Sequence, residues 1–281
     1  MNTNRKAARN SSLMQIRKGM LWIAVIGAFL IGIRHLFPGE AASGGAFDAF
    51  CPFGAIETLW AYLVRGQTLK TTNLFNFAIL SGVLAVSLVA GRAFCGWMCP
   101  LGAVQEGLAK FSRRLAGEKR HIRGKPSQAQ FPLRLPDWAD RPMRYAKYLI
   151  LAVVIFASVF SIYPPLHPLC PARAVFSFKL NTGLMWSVLI IFIITSLLVE
   201  RVWCKYLCPL GAALAIFNKI SPLRLSADFK ACNHCGRCDI ECSMGIQDVP
   251  DNLSDAECIR CLECLETCAR EDALTLRVDK H

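Results

Sequence analysis

Charge is what this sequence has little of. Asp, Glu, Lys and Arg together make up 19% of its 281 residues, against 54% for the apolar set. That balance excludes an ordinary soluble domain and points to a membrane protein. Acidic residues are the scarcer sign, 20 against 32 Lys and Arg, which leaves a net charge of +12. Such an excess would suit nucleic acid, but the basic residues are confined to particular loops, a distribution that a membrane explains and DNA does not. Histidine is scarce too, five in all with no C-x-x-C-H, which argues against attached haem. There is no phosphate loop, no carboxylate pair and no nucleophile beside a base, so no independent catalytic site is expected. No small-x-small site directly follows the first apolar run. A cleavable leader is therefore not the favoured reading, although Ala41-Ala42-Ser43 keeps it open.

Four apolar runs are present: Met20–Ile33, Leu74–Ala90, Tyr148–Ile162 and Leu184–Val199. Each falls slightly short of the roughly 20 residues that cross a bilayer, and each extends plausibly through its flanks. A buried soluble helix could carry any one of them; four in so small a chain favour membrane spans. Orientation follows from the basic residues. Arg5, Lys6, Arg9, Arg17 and Lys18 precede the first run. Twelve more, from Arg92 to Lys147, lie between the second and third runs and include Lys110, Arg113, Arg114, Lys119, Arg120 and Arg123. Apart from Arg34, immediately behind the first run, the remaining loops hold Arg65, Lys70, Arg173 and Lys179. Both termini are therefore expected on the cytoplasmic side. The basic stretch 105–147 reads first as a topology signal and second as a docking patch for an acidic partner, with Pro126, Pro132, Pro136 and Pro142 making its middle an irregular surface loop.

Cysteine, by contrast, is abundant at fourteen, and it is clustered rather than spread as a disulfide framework would be. After Pro222 the apolar spans stop and one pattern appears twice: Cys232-x2-Cys235-x2-Cys238-x3-Cys242, then Cys258-x2-Cys261-x2-Cys264-x3-Cys268. Three thiolates from one tight loop grip three irons of a cubane, and in two-cluster ferredoxins the fourth belongs to the other cluster. On that rule one 4Fe–4S cluster takes Cys232, Cys235, Cys238 and Cys268. The second takes Cys258, Cys261, Cys264 and Cys242. Ser243 and Ala269 replace the usual proline after the fourth cysteine, which alters the turn and removes no ligand. Zinc also favours Cys-x2-Cys pairs, but as two pairs, not triplets plus one. His234, between Cys232 and Cys235, is read as tuning a cluster's surroundings and not as an iron ligand.

The apolar region repeats itself. The second run leads into Phe94-Cys95-Gly-Trp-Met-Cys99-Pro100-Leu-Gly-Ala and the fourth into Trp203-Cys204-Lys-Tyr-Leu-Cys208-Pro209-Leu-Gly-Ala. Each preceding run is followed by a single Cys-Pro, at Cys51-Pro52 and Cys170-Pro171. Cysteines four apart share a face if the stretch is helical, and proline behind the second is placed to start the next helix. Two such pairs, brought together by pseudo-twofold packing, offer four thiolates for a further iron–sulfur cluster of Cys95, Cys99, Cys204 and Cys208, with Trp97 and Trp203 packed around it. Inert buried cysteines and a redox-active dithiol are the competing readings. Cys51 and Cys170 fall near the outer face, where they hold an outer redox centre, form a disulfide/dithiol couple, or are inert. Reaching the Cys-x3-Cys pairs would take a re-entrant segment, for which the amphipathic stretch Phe53–Val64 is a candidate.

The expected architecture is an α-helical membrane protein: four transmembrane helices in two pseudo-symmetric halves (about 19–110 and 145–220) within residues 1–224. A small α+β two-cluster ferredoxin-like domain follows over 225–281.

Over nearly the whole chain these motifs resemble the NapH/NosR-type membrane polyferredoxins, including the YccM-like and CcoG-like branches. The paired C-x3-C-P motifs together with the ferredoxin pattern are far more specific than either alone. The resemblance implies electron transfer between the quinone pool or a cytoplasmic donor and a membrane or extracytoplasmic acceptor, in the cytoplasmic membrane of a bacterium or archaeon. It also implies that Cys95, Cys99, Cys204 and Cys208 are the family's membrane cysteines and that the eight C-terminal cysteines are ferredoxin ligands. Single Cys-Pro sites are not a fixed part of the pattern, and there is no extracytoplasmic flavin domain, so any flavin belongs to a partner. Expected partners are the bilayer and redox proteins, either a soluble ferredoxin or flavodoxin or an extracytoplasmic acceptor subunit, with no nucleic acid. Three alternatives stand beside this. A quinol dehydrogenase subunit would need a quinone pocket, for which His35, His167 and Tyr163 are candidates against simple interfacial anchoring. A redox or metal sensor would dock a partner without turnover. An outer-face thiol–disulfide relay would use Cys51 and Cys170.

Overall fold

A computed structural model describes residues 3–34, 52–66, 74–115, 133, 135–160, 169–176, 182–268, 270 and 273–278. The fold is mostly helical. In chain order the elements are α1 (Thr3–Arg34), α2 (Pro52–Arg65), α3 (Leu74–Ala90), the short α4 (Ala93–Trp97), α5 (Pro100–Leu115), α6 (Asp137–Phe160), α7 (Pro171–Phe176) and α8 (Gly183–Leu198). A single π-helical turn (Trp203–Leu207) and α9 (Pro209–Ile220) follow. The C-terminal part adds β1 (Leu223–Ala227), α10 (Arg237–Glu241), α11 (Glu263–Thr267) and β2 (Leu274–Val278). The two strands pair antiparallel, Leu225 opposite Leu276.

The four apolar runs fall in α1, α3, α6 and α8. Helix α8 reads GLMWSVLIIFIITSLL, rich in β-branched residues of modest helix propensity. It is apolar all round, so what favours the helix is that it satisfies every backbone group internally. Among the described residues one helical stretch, Ser12–Ile33, is long and apolar enough to cross a membrane. Phe77–Ala90, Gly183–Leu198 and Pro209–Ile220 are apolar but shorter. The outer faces of the four helices carry large exposed apolar side chains: Trp22 and Ile23 on α1, Val89 on α3, Leu149 and Phe156 on α6, Ile191 on α8.

Two expectations for the basic stretch need correction. Its start is not a loop, because α5 runs to Leu115. Pro142 lies inside α6, close enough to its beginning to remove a single backbone hydrogen bond and leave the helix intact.

Among the described residues three clusters of buried side chains stand out. In one, Val83, Cys95 and Leu214 pack with Met244, Ile246, Val249 and Ile259, so helical region and C-terminal module share a core. In the second, Phe176 of α7 meets Ala28, Leu101 and Phe192, with Cys99 and Trp203 against them. The third joins Leu225, Leu262, Leu265 and Leu274 of the module to Trp97.

Candidate metal centre

Both Cys-x3-Cys blocks fold by the same local rule. The Cys99 N–H donates to the Phe94 carbonyl at 3.0 Å and the Cys208 N–H to the Trp203 carbonyl at 2.9 Å. These five-residue bonds widen the turn beyond an α-helix, a feature frequent at functional sites. In the first block Cys95 lies within the α-helical α4, and in the second Cys204 lies within the π-turn; Cys99 and Cys208 follow just past these turns, where the proline ends them. Pro100 and Pro209 open α5 and α9 at the position where a missing N–H costs nothing. The second cysteine caps each new helix: Gly211 N–H donates to Cys208 Sγ at 3.4 Å, and the Gly102 N–H bonds Cys99 in the same way. A thiolate at a helix N-terminus faces unpaired N–H donors, which stabilise it.

The two blocks meet. Cys95 and Cys204 act electrostatically on each other, and both act on Cys99 and Cys208. Burial, then the neighbouring thiols, push Cys99 and Cys208 well above the ordinary range. Thiols that burial holds protonated, as at Cys95, Cys99 and Cys208, fit a cationic iron core, which would make the thiolate the stable form. The Gln105 amide donates to Cys204 Sγ at 3.4 Å and accepts from the Trp203 N–H at 3.1 Å, so α5 of the first half orients the second half's cysteine.

In the C-terminal module, Cys242, Cys258, Cys261 and Cys264 line one cavity with Leu225, Met244 and Ile259. Burial raises Cys258 to about 11, with Cys242 contributing, and Cys264 is raised by burial and then by Cys261, Cys258 and Cys242. The Ile246 N–H donates to Cys242 Sγ at 3.4 Å. The other thiols act mainly on one another: Cys268 is raised by burial and then by Cys235 and Cys232, and Cys235 acts on Cys238, which also acts on Cys264 of the first set. Leu262 and Gly236 hold left-handed backbone between the cysteines of their loops, which is how a short loop turns several thiols inward. Among the described residues no three Cys, His, Asp or Glu side chains are close enough to hold a single metal ion. A cubane asks for a wider set, each thiolate binding a different iron.

The Cys258–Cys264 loop is docked on the first Cys-x3-Cys block. A Cβ on Gly96 would stand 2.5 Å from the Ile259 carbonyl and 3.6 Å from Cys261 Cα, so only glycine admits the loop. The Trp97 indole N–H donates to the Arg260 carbonyl at 2.9 Å, and Trp97 packs against the module's cluster; Trp203 packs against the same cluster as Cys99. In the second block the residue matching Gly96 is Lys205, which faces Cys242 and Gly245. Buried ion pairs fasten the assembly. Arg17 bonds the Gly96 carbonyl, Glu106 and Glu263. Arg92 and Lys147 both pair with Glu257. Asn218 donates to the carbonyls of Asp255, Ala256 and Cys258.

Cys170 precedes α7 and its carbonyl accepts from Ala174. Helix α7 carries Phe176 into the cluster that includes Cys99. The stretch Phe53–Val64 is helical within α2. Cys51, His35, His167 and Tyr163 lie outside the described residues. His234 is exposed and stacks on Phe229. Arg17, Arg92 and Lys147, which sequence alone reads as orientation charges, are all fully buried, as is Arg201. The signal was there: the repeat extends to R-x2-C-x3-C-P-L-G-A in both halves.

A helical scaffold with duplicated buried thiol pairs and a two-loop cysteine module defines an iron–sulfur protein of the polyferredoxin class. The family described as "4Fe-4S binding domain" matches twice, at residues 72–117 and 182–227, and each match contains one Cys-x3-Cys block. An uncharacterized protein of Methanocaldococcus jannaschii, MJ0750, is 31% identical over 228 residues, covering 80% of this chain and 85% of its own. The ferredoxin-type protein NapH of Escherichia coli (strain K12) is 26% identical over 270 residues, 90% of this chain and 85% of its own. YccM of the same organism, named for electron transport, is 28% identical over 249 residues; the match covers 85% of this chain and 66% of YccM. No solved structure matches. The chain belongs to the NapH/NosR-type polyferredoxin family.

Proposed function

We propose that this chain is a membrane-bound electron relay with four spans, α1, α3, α6 and α8. It links a cytoplasmic or quinone-linked donor to a membrane or extracytoplasmic acceptor, with both termini cytoplasmic. Bound 4Fe–4S clusters would supply one-electron chemistry. The cysteines that would hold them form three sets: Cys232, Cys235, Cys238 and Cys268; Cys258, Cys261, Cys264 and Cys242; and Cys95, Cys99, Cys204 and Cys208. Cys51 and Cys170 remain candidates for an outer redox site. The domain division at about residue 224 separates the helical region from the two-loop module.

One observation carries this reading: two equivalent Cys-x3-Cys blocks, each within a 4Fe–4S family match, bring their thiols together directly beneath the Cys258–Cys264 loop. Names among the relatives, electron transport for YccM and ferredoxin-type for NapH, support electron transfer. The apolar outer faces of the four helices support the spans, since exposed apolar surface of this extent needs a nonpolar neighbour. The half-buried Trp97 and Trp203 and the apolar clusters limit water around the thiols, and the N–H···S bonds tune them.

The test is iron and sulfide per chain after anaerobic purification in detergent, with EPR during a redox titration. The relay predicts about twelve irons, or about four per set of four cysteines, and an EPR signal lost in Cys95→Ser and Cys204→Ser but kept in Cys232→Ser. About eight irons, unchanged in the first two variants, would sink the membrane site.

A further inference from the structure

Two buried arginines occupy the same place in the repeat, Arg92 and Arg201, three residues before the first cysteine of each block. Neither has any exposed surface. Burial alone would lower a guanidinium's pKa. At Arg92 that is outweighed by Glu257, Cys95 and Cys204, and at Arg201 by Glu106, Cys204, Cys261 and Glu263, so both are held in the charged form.

Each arginine crosses to the opposite half. Arg201 Nη1 donates to the Cys95 carbonyl at 3.2 Å and lies 3.2 Å from where a Cβ on Gly102 would stand. Arg92 Nη2 lies 2.9 Å from the equivalent point on Gly211. The glycine of both C-P-L-G-A sequences is thus the floor on which the other half's guanidinium rests. Carboxylates take up part of each fork: Arg201 Nη2 bonds Glu106 at 2.7 Å and Arg92 Nη1 bonds Glu257 at 2.9 Å. The Nε atoms of both arginines have no acceptor among the described residues. A buried donor without a partner costs on the order of 1–3 kcal/mol. Two of them, at matching positions beside four thiols, leave room for an anionic acceptor that the polypeptide does not supply.

We propose that Arg92 and Arg201 are reciprocal positioning residues of the shared cysteine site. Each half sends a permanent cation and an unpaired Nε–H to the sulfur held by the pair of blocks. Arg201, which faces both Cys204 and Cys261, sets the reduction potential of the shared site and of the neighbouring Cys258–Cys264 set together. The inference rests on Cys95, Cys99, Cys204 and Cys208 forming one cluster site. A fixed positive charge and N–H···S bonds stabilise the more negative, reduced state, so their removal lowers the midpoint potential.

The experiment uses the full chain, purified anaerobically in detergent, with iron per chain and EPR-monitored titration by dithionite in the presence of mediators. Arg201→Met is expected to keep its iron and shift both signals to lower potential, about a tenfold change in the reduced-to-oxidised ratio, or about 59 mV for one electron. Arg92→Met shifts the shared-site signal alone. Arg201→Lys, which keeps the charge, restores most of the shift, a rescue that a purely structural pin would not give. Glu106→Gln leaves Arg201 in place with its neutralising partner gone and shifts the shared site upward. Iron-replete Met variants with unmoved potentials overturn the proposal. If the Met variants lose their iron, Glu106→Gln decides, and an unmoved signal there overturns it. Wild-type protein with about eight irons, indifferent to Cys95→Ser, removes the shared site itself and the proposal with it.

Discussion

The two halves of the helical region agree where the cysteines are and differ where the C-terminal module sits. Ser87, Arg92, Cys95 and Cys99 recur at the same spacing as Ser196, Arg201, Cys204 and Cys208, each set followed by Pro-Leu-Gly-Ala. Even the two serine hydroxyls match, both buried with no partner among the described residues. The residue behind the first cysteine breaks the match, Gly96 against Lys205, and so do Gln105 and Glu106 against Leu214 and Ala215. Gly96 admits the Ile259 carbonyl. Gln105 and Glu106 reach across to Cys204 and Arg201, while Leu214 and Ala215 are buried apolar residues. The repeat keeps what holds sulfur and varies what gives the module a single docking side.

The largest effects should come from the asymmetric contacts. Glu257→Ala leaves Arg92 and Lys147 buried without their carboxylate, a loss of about 3–5 kcal/mol. It should release the module, seen as new proteolytic cleavage between residues 220 and 232, with the shared thiol site intact. Gly96→Ala forces the Ile259 loop back and should cost about 1–3 kcal/mol in denaturant midpoint. Lys205→Ala, its counterpart, should cost less, because it removes side-chain atoms and displaces no backbone. The matched positions should respond alike: Gly102→Ala and Gly211→Ala each press on an arginine and should shift the same EPR signal in the same direction. Unequal shifts would break the pseudo-twofold comparison. Smallest is the pH effect. Burial pushes the Glu106 carboxyl up, but Arg201, Arg17 and Lys110 outweigh it and hold it well below the usual carboxylate range. Its contribution is therefore present above the unfolded value of about 4.3 and fades as pH falls below it. Glu106→Gln should flatten the acid limb of a stability–pH curve and leave the neutral limb parallel to wild type.

The cysteine spacing made the metal chemistry legible, because thiolate geometry is local and short loops write it directly into sequence. The internal repeat was legible for the same reason. Helix existence was readable from the apolar runs, while α6 began earlier than its run, since Asp137–Lys147 is polar on one side and only packing makes it helical. The burial of the arginines was not legible: nothing local reveals that Arg17 ends against Glu106 and Glu263. The bond from the Trp97 N–H to the Arg260 carbonyl was not legible either. Contacts between distant segments decided each of these, and a single sequence does not display them.

The central claim is that one cluster site is shared between the halves. Iron per chain in Cys95→Ser, Cys204→Ser and the double variant tests it most directly. A shared site predicts that either single change removes the same four or so irons and that the double removes no more. Losses that add, or a single variant that keeps all its iron, would contradict it.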